Sequence, residues 1–169
     1  IANTGLDITA HTLNNQQDIA NSTGSFTVNS TNLTNSGTLV NADNMTLNVS
    51  ETLDNQGDIV TQAGQLVIST ATLSNQESAN IVNAGTGNVT ITSQTLSNAA
   101  QAQIVSQSNL AITNQGALSN QGSISASDIN INSASLNNQG LLASQTGNIA
   151  LTIIQTLINS DNGVIYANN

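Results

Sequence analysis

Apolar residues recur along this chain in fixed relations to one another. Leucine followed two residues later by asparagine occurs at Leu13/Asn15, Leu33/Asn35, Leu53/Asn55, Leu73/Asn75, Leu96/Asn98, Leu118/Asn120, Leu136/Asn138 and Leu157/Asn159, with leucine spacings of 20, 20, 20, 23, 22, 18 and 21 residues. A second aliphatic anchor follows each of these, usually after a Gly-containing turn: Ile19, Leu39, Ile59, Ile81, Ile104, Ile124, Leu142 and Ile165, with Ile1 opening the series. Ahead of each leucine stands an alternating pair: Leu6/Ile8, Phe26/Val28, Met45/Leu47, Leu66/Ile68, Val89/Ile91, Leu110/Ile112, Ile129/Ile131 and Ile149/Leu151. Spacing of i, i+2 is the period of a strand with one buried face. Each repeat therefore predicts three short strands separated by turns of Gly, Asn, Ser and Thr, with no helical period between them.

Three short strands in about twenty residues are too little chain for a propeller blade, which takes about 40, and there is no helical segment of the leucine-rich type. The pattern predicts an all-β parallel β-helix of about eight coils. At a strand spacing of about 4.8 Å, eight coils make a rod roughly 38 Å long. One coil alone buries too few aliphatic side chains to offset the entropy of ordering its backbone, so stability must be a property of neighbours in the stack. Ile1 to Asp18 reads as an ordinary repeat and Val164 to Asn169 begins another. Residues 1–169 are thus expected to be a single β-helical segment of a longer repeat protein, stacked on neighbouring coils of that same chain.

Composition narrows the chemistry. The 169 residues include no Lys or Arg, nine Asp and Glu, and a formal charge of −9. Nucleic-acid binding is excluded, because phosphates are neutralised by Lys and Arg. P-loop and arginine-clamped phosphoryl transfer and polybasic membrane attachment fall for the same reason. Cysteine is absent and His11 is the single histidine, so disulfides, thiol catalysis and His/Cys-ligated metals are not expected, and no cofactor is implied. No run of 18 apolar residues marks a membrane span, and no charged n-region marks a signal peptide. Phe26 and Tyr166 are the only aromatics, which leaves Ile, Leu and Val to make the interior. A chain so rich in Asn, Ser and Thr would read as disordered were its apolar residues not periodic. Low charge itself suits a stacked solenoid, since identical charges repeated at every coil repel along the whole rod.

Each asparagine lies two residues after its leucine and hence on the same strand face, so Asn15, Asn35, Asn55, Asn75, Asn98, Asn120, Asn138 and Asn159 should line one inner corner as a structural amide ladder. Just after the second anchor, the outward position holds Ala20, Val40, Val60, Val82 and Val105, a candidate stripe for lateral protein contact or for a host or bacterial surface receptor. Glu51, Asp54 and Asp58 are close in sequence, and stacking could bring Glu77 to them. Paired carboxylates would suit glycoside hydrolysis, but no aromatic platform or basic side chain accompanies them, and solvated turn residues are the plainer reading. The calcium-binding nonapeptide of β-rolls is missing, leaving at most an incidental cation site near Glu51 to Asp58. His11 reads as a surface residue, and the N-x-[ST] sequons as a product of composition. A polar strand face flanks the buried pairs at Thr27/Asn29, Thr46/Asn48, Thr90/Thr92 and Asn130/Asn132, interrupted by Val67, Ala111 and Ala150; regular threonine arrays of this kind can order water against ice. Insertions at Gln76 to Asn80 and Ala99 to Gln103 enlarge the same corner on successive coils.

The copies LDNQGDI (Leu53 to Ile59), LSNQGSI (Leu118 to Ile124) and LNNQGLL (Leu136 to Leu142), repeated with their alternating pairs across the chain, resemble the repeat region of filamentous haemagglutinin-type exoproteins. These are the secreted members of two-partner secretion systems, among them adhesins and contact-dependent growth-inhibition stick proteins. The resemblance implies a right-handed parallel β-helix, exported through an outer-membrane secretion partner and displayed at a Gram-negative cell surface. It implies a non-enzymatic shaft that projects a distal binding or toxic domain. The absence of Lys and Arg departs from the basic patches with which such proteins bind acidic glycans. A carbohydrate-active β-helix enzyme and an ice- or surface-binding solenoid are the alternative readings.

Overall fold

In the computed structural model, which describes residues 5–160 and 162–168, every regular element is a β-strand. Ile1 lies outside the described residues. The coils follow in chain order: β1 (Gly5–Asn15) and β2 (Asp18–Asn21), β3 (Ser25–Asn35) and β4 (Thr38–Asn41), β5 (Met45–Asn55) and β6 (Asp58–Thr61), β7 (Leu66–Asn75) and β8 (Asn80–Asn83). The fifth coil has three strands, β9 (Val89–Ser93), β10 (Thr95–Asn98) and β11 (Gln103–Ser106). Then come β12 (Asn109–Asn120) and β13 (Ser123–Ala126), β14 (Asp128–Asn138) and β15 (Leu141–Ser144), β16 (Ile149–Asn159) and β17 (Val164–Ala167). All pairings are parallel and join each coil to the next, in one sheet of long strands and one of short strands. The described residues form a β-solenoid of eight coils.

The three segments expected per repeat are present, but in seven coils the first two run together as one long strand. No turn separates the alternating pair from the Leu-x-Asn segment there. Instead the strand bends, and the register slips between Ser30 and Asn32, Val49 and Thr52, Asn114 and Ala117, and Ser133 and Ser135. Such a slip is a β-bulge, which turns a strand without ending its ladder. Only at Gln94 is the strand interrupted, between β9 and β10.

The core fills the space between the two sheets. From the second coil to the seventh, every expected anchor is at most 2 % exposed, from Phe26, Val28, Leu33 and Leu39 to Ile129, Ile131, Leu136 and Leu142. Like stacks on like: Leu33, Leu53, Leu73, Leu96, Leu118 and Leu136 are register partners in succession. In the end coils Leu6, Ile8, Leu13, Ile19, Ile149, Leu151 and Ile165 are only partly covered, because a neighbour packs them on one side only.

Glycine in the N-Q-G turns has a packing cause. A Cβ on Gly57 would strike the Gly37 carbonyl oxygen, and one on Gly140 the Gly122 carbonyl oxygen. Backbones of successive coils approach too closely at this corner for any side chain. The inserted turns of the fourth and fifth coils solve the same corner differently. Ser78 and Gln101 take positive φ values of 66° and 63°, and the Ala79 and Ala102 amides close back on the Gln76 and Ala99 carbonyls.

Candidate functional site

The eight asparagines that follow the core leucines stand in one column. Nδ2 of Asn15 donates to Oδ1 of Asn35 at 2.7 Å, and the same bond recurs from Asn35 to Asn55, Asn75, Asn98, Asn120, Asn138 and Asn159 at 2.8 to 2.9 Å. Every amide points the same way along the rod. From Asn15 to Asn138 each Nδ2 also donates to a main-chain carbonyl of the next coil, such as Thr38 from Asn15 and Asp58 from Asn35, both at 3.0 Å. From Asn35 to Asn138 the side chains are at most 1 % exposed, where an unpaired amide would carry its full desolvation cost.

Two further inner corners are polar, and neither was singled out from the sequence. At the bend of the long strands, Ser93 Oγ donates to Asn114 Oδ1 at 2.9 Å, Asn114 Nδ2 to Ser133 Oγ at 3.1 Å, and Thr70 Oγ1 to the Glu51 carbonyl at 3.0 Å. After the short strands, Asn21 Nδ2 donates to Asn41 Oδ1 at 2.9 Å and Asn83 Nδ2 to the Gly64 carbonyl at 2.6 Å. The signal for this last corner was present: Asn21, Asn41 and Asn83 each lie two residues past an Ile or Leu anchor, the same parity that singles out the main ladder.

Outside, Ala20, Val40, Val60, Val82 and Val105 form one in-register column on the sheet of short strands. Ala20 is exposed and the four valines are half-buried by one another. The column passes into Ser125, its register partner beyond Val105.

The carboxylates are scattered and taken up locally. Asp54 accepts both Gln56 Nε2 and Gln76 Nε2 at 2.6 Å, Asp58 accepts Asn80 Nδ2 at 2.8 Å, and Glu51 is 3.5 Å from Asn32 Nδ2. Asp43 accepts the Gly24 amide at 2.7 Å and Asp128 the Asn148 amide at 2.8 Å, each from an adjacent coil. Among the described residues no three Asp, Glu or His groups converge where they could hold a metal ion, and Glu51, Asp54, Asp58 and Glu77 form no such cluster. His11 is exposed on β1, with Nδ1 3.1 Å from the Thr31 hydroxyl.

The polar outer face of the long sheet resolves into two columns. One is interrupted, running Asp7, Thr27, Thr46, Val67, Thr90, Ala111, Asn130 and Ala150. Its neighbour is unbroken: Thr9, Asn29, Asn48, Ser69, Thr92, Thr113, Asn132 and Thr152 are successive register partners, all exposed. Beside this column the bend leaves a groove of about 410 Å³ whose lining includes Asn29, Asn48, Ser50, Ser69, Thr92, Gln94 and Gln115. No charged residue lines it.

The haemagglutinin repeat family model matches this chain in three overlapping stretches, residues 1–42, 22–86 and 79–164. No curated protein and no solved structure matches it.

Proposed function

The chain belongs to the haemagglutinin repeat family, and we propose that it is a length of shaft in a secreted filament at the surface of a Gram-negative bacterium. There it holds a distal binding or toxic domain away from the cell, as in adhesins or contact-dependent inhibition sticks. The observation that carries this reading is continuity. Two parallel ladders run through all eight coils, and the amide ladder accompanies them from Asn15 to Asn159. A rod joined coil by coil resists bending because its ladders must open together, and its stability grows with each added neighbour. Export through an outer-membrane partner as an unfolded chain is consistent with the absence of cysteine. Secretion before folding also suits a fold that assembles by adding one coil to the last. The Val40 to Val105 column is the surface on which lateral contact with another chain would be made.

Small-angle scattering from the chain, beside a variant in which the coil from Leu53 to Thr72 is duplicated, tests the shaft. The rod should lengthen by about 4.8 Å at constant cross-section. A particle that unfolds, or thickens without lengthening, would overturn the reading. Incubation with neutral and acidic polysaccharides should release no new chain ends, whereas cleavage would make the rod the scaffold of an enzyme.

A further inference from the structure

We propose that the groove at the bend of the long sheet binds a neutral, extended polysaccharide laid along the rod axis. Its volume of about 410 Å³ lies in the usual range of ligand sites, and its chemistry selects among ligands by exclusion. An anion would need a cationic side chain, and the chain has no Lys or Arg. A metal ion or organic cation would need carboxylates, and none lines the groove. An apolar ligand would cover hydroxyls and amides over about half of its contact and leave them unpaired, with Val49 and Ala71 the only aliphatic residues in the lining. What remains is a neutral partner rich in hydroxyl groups.

Geometry adds the requirement that the partner repeat. Asn29, Asn48, Ser69 and Thr92 are register partners on four successive coils, and the column continues without interruption from Thr9 to Thr152. Parallel strands place these side chains about 4.8 Å apart. One pyranose of an extended, equatorially linked glycan advances by a similar distance, so successive sugars meet equivalent donors and acceptors on successive coils. Asn48 Nδ2 is already engaged by Asn29 Oδ1 at 2.9 Å. The exposed side chains of Ser50, Ser69, Thr92, Gln94 and Gln115 make no side-chain bond to any other described residue and can turn to a ligand. Each sugar contributes little without an aromatic platform, and affinity accumulates over the number of coils engaged. With no carboxylate pair in the groove, the glycan is held intact.

The test is an NMR titration of the whole chain with cellohexaose, with maltohexaose as a coiled neutral comparison and a galacturonic-acid hexamer as an anionic one. Saturable shifts are expected with cellohexaose alone, centred on Asn48, Ser69 and Thr92. Ser69→Val/Thr92→Val should weaken binding roughly tenfold, the equivalent of two neutral hydrogen bonds. Valine suits exposed strand positions, so the fold should persist; Gln94→Ala/Gln115→Ala provides an independent weakening at the rim. Thr38→Val, on the other sheet, should change nothing. Absence of saturation, equal binding of either comparison sugar, or shifts that ignore the groove variants would overturn the proposal.

Discussion

Asn55 Nδ2 donates to Asn75 Oδ1 at 2.8 Å across one full coil, while the same nitrogen reaches the carbonyls of Gly57 and Asn80 at 3.0 and 3.1 Å. Asn55 Oδ1 in turn accepts from Asn35 at 2.8 Å. Replacing Asn55 with leucine keeps the branched outline of the side chain, adds bulk, and strands an Asn35 N–H and the Asn75 acceptor in a dry interior. We expect Asn55→Leu to lower unfolding free energy by at least about 2 kcal/mol. Asn159 is exposed and donates only to the Gly163 carbonyl at 2.9 Å, so Asn159→Leu should cost less than half as much. Denaturant titration of the two variants measures the contrast; equal midpoints would mean that the ladder adds nothing to the stack.

The close approach of Gly57 to the Gly37 carbonyl gives a second expectation. A single methyl group at Gly57 forces two coils apart where four hydrogen-bonded strands meet, so the strain cannot be relieved by turning a side chain. Gly57→Ala should destabilise by about 1 to 3 kcal/mol, the range for overpacking. A thermal midpoint equal to that of the unsubstituted chain would show that the corner can open at no cost.

Much of this was legible because a strand has a period of two. Core membership at Leu47 or Ile91 follows from parity alone, and the same parity puts Asn55 inside beside Leu53. What escaped lies where parity and polarity conflict. Ser93, Asn114 and Ser133 look like turn residues by type, yet they are buried and bonded to one another at a bend. Nothing local distinguishes a polar residue that ends a strand from one that lets it bend and continue. The outer groove was equally hidden, since Ser69 and Thr92 acquire meaning only when register sets them side by side. Asn29, Asn48, Thr92 and Asn132 were visible in the sequence only as members of a face broken by Val67, Ala111 and Ala150, and it is register that sets them with Ser69 and Thr113 in an unbroken column.

Ser78 and Gln101 occupy the left-handed region that favours glycine. An L-residue there costs about 1 to 2 kcal/mol, and a glycine returns part of that gain through the greater freedom of the unfolded chain. Ser78→Gly should therefore raise stability by about 0.5 kcal/mol. Its hydroxyl makes only a long, exposed bond of 3.4 Å to Gln101 Oε1, so little is lost with it. A calorimetric melt checks the sign, and a fall would mean that the serine contact outweighs backbone strain.

Val60 and Val82 are adjacent in the outward stripe and half-buried only by each other and their neighbours. Val60→Lys/Val82→Lys should leave stability within about 1 kcal/mol, as surface changes do, while placing two cations across the proposed contact. Concentration-dependent sedimentation should then show weaker association than for the unsubstituted chain. Unchanged association would make the stripe a consequence of strand propensity alone.

Nearest-neighbour stability also predicts a gradient along the rod. Leu73 is fully buried between Leu53 and Leu96, whereas Leu157 occupies the same repeat position and is 49 % exposed because only Leu136 covers it. Truncating Leu73 to alanine opens a cavity that two flanking coils cannot close without breaking their own ladders, and about 2 to 5 kcal/mol should be lost. The same change at Leu157 removes a side chain already half in water and should cost under about 1.5 kcal/mol. Hydrogen exchange separates this from a uniformly cooperative barrel. Amides of β7 and β10 should exchange only through the largest openings, and those of β16 and β17 through local fraying. Leu73→Ala should accelerate exchange in the coils on both sides of it, whereas Leu157→Ala should accelerate β16 and β17 and leave the middle of the rod as it was. If both substitutions loosened every coil alike, the unit of folding would be the whole rod, and its strength as a shaft would not reside in contacts between successive coils.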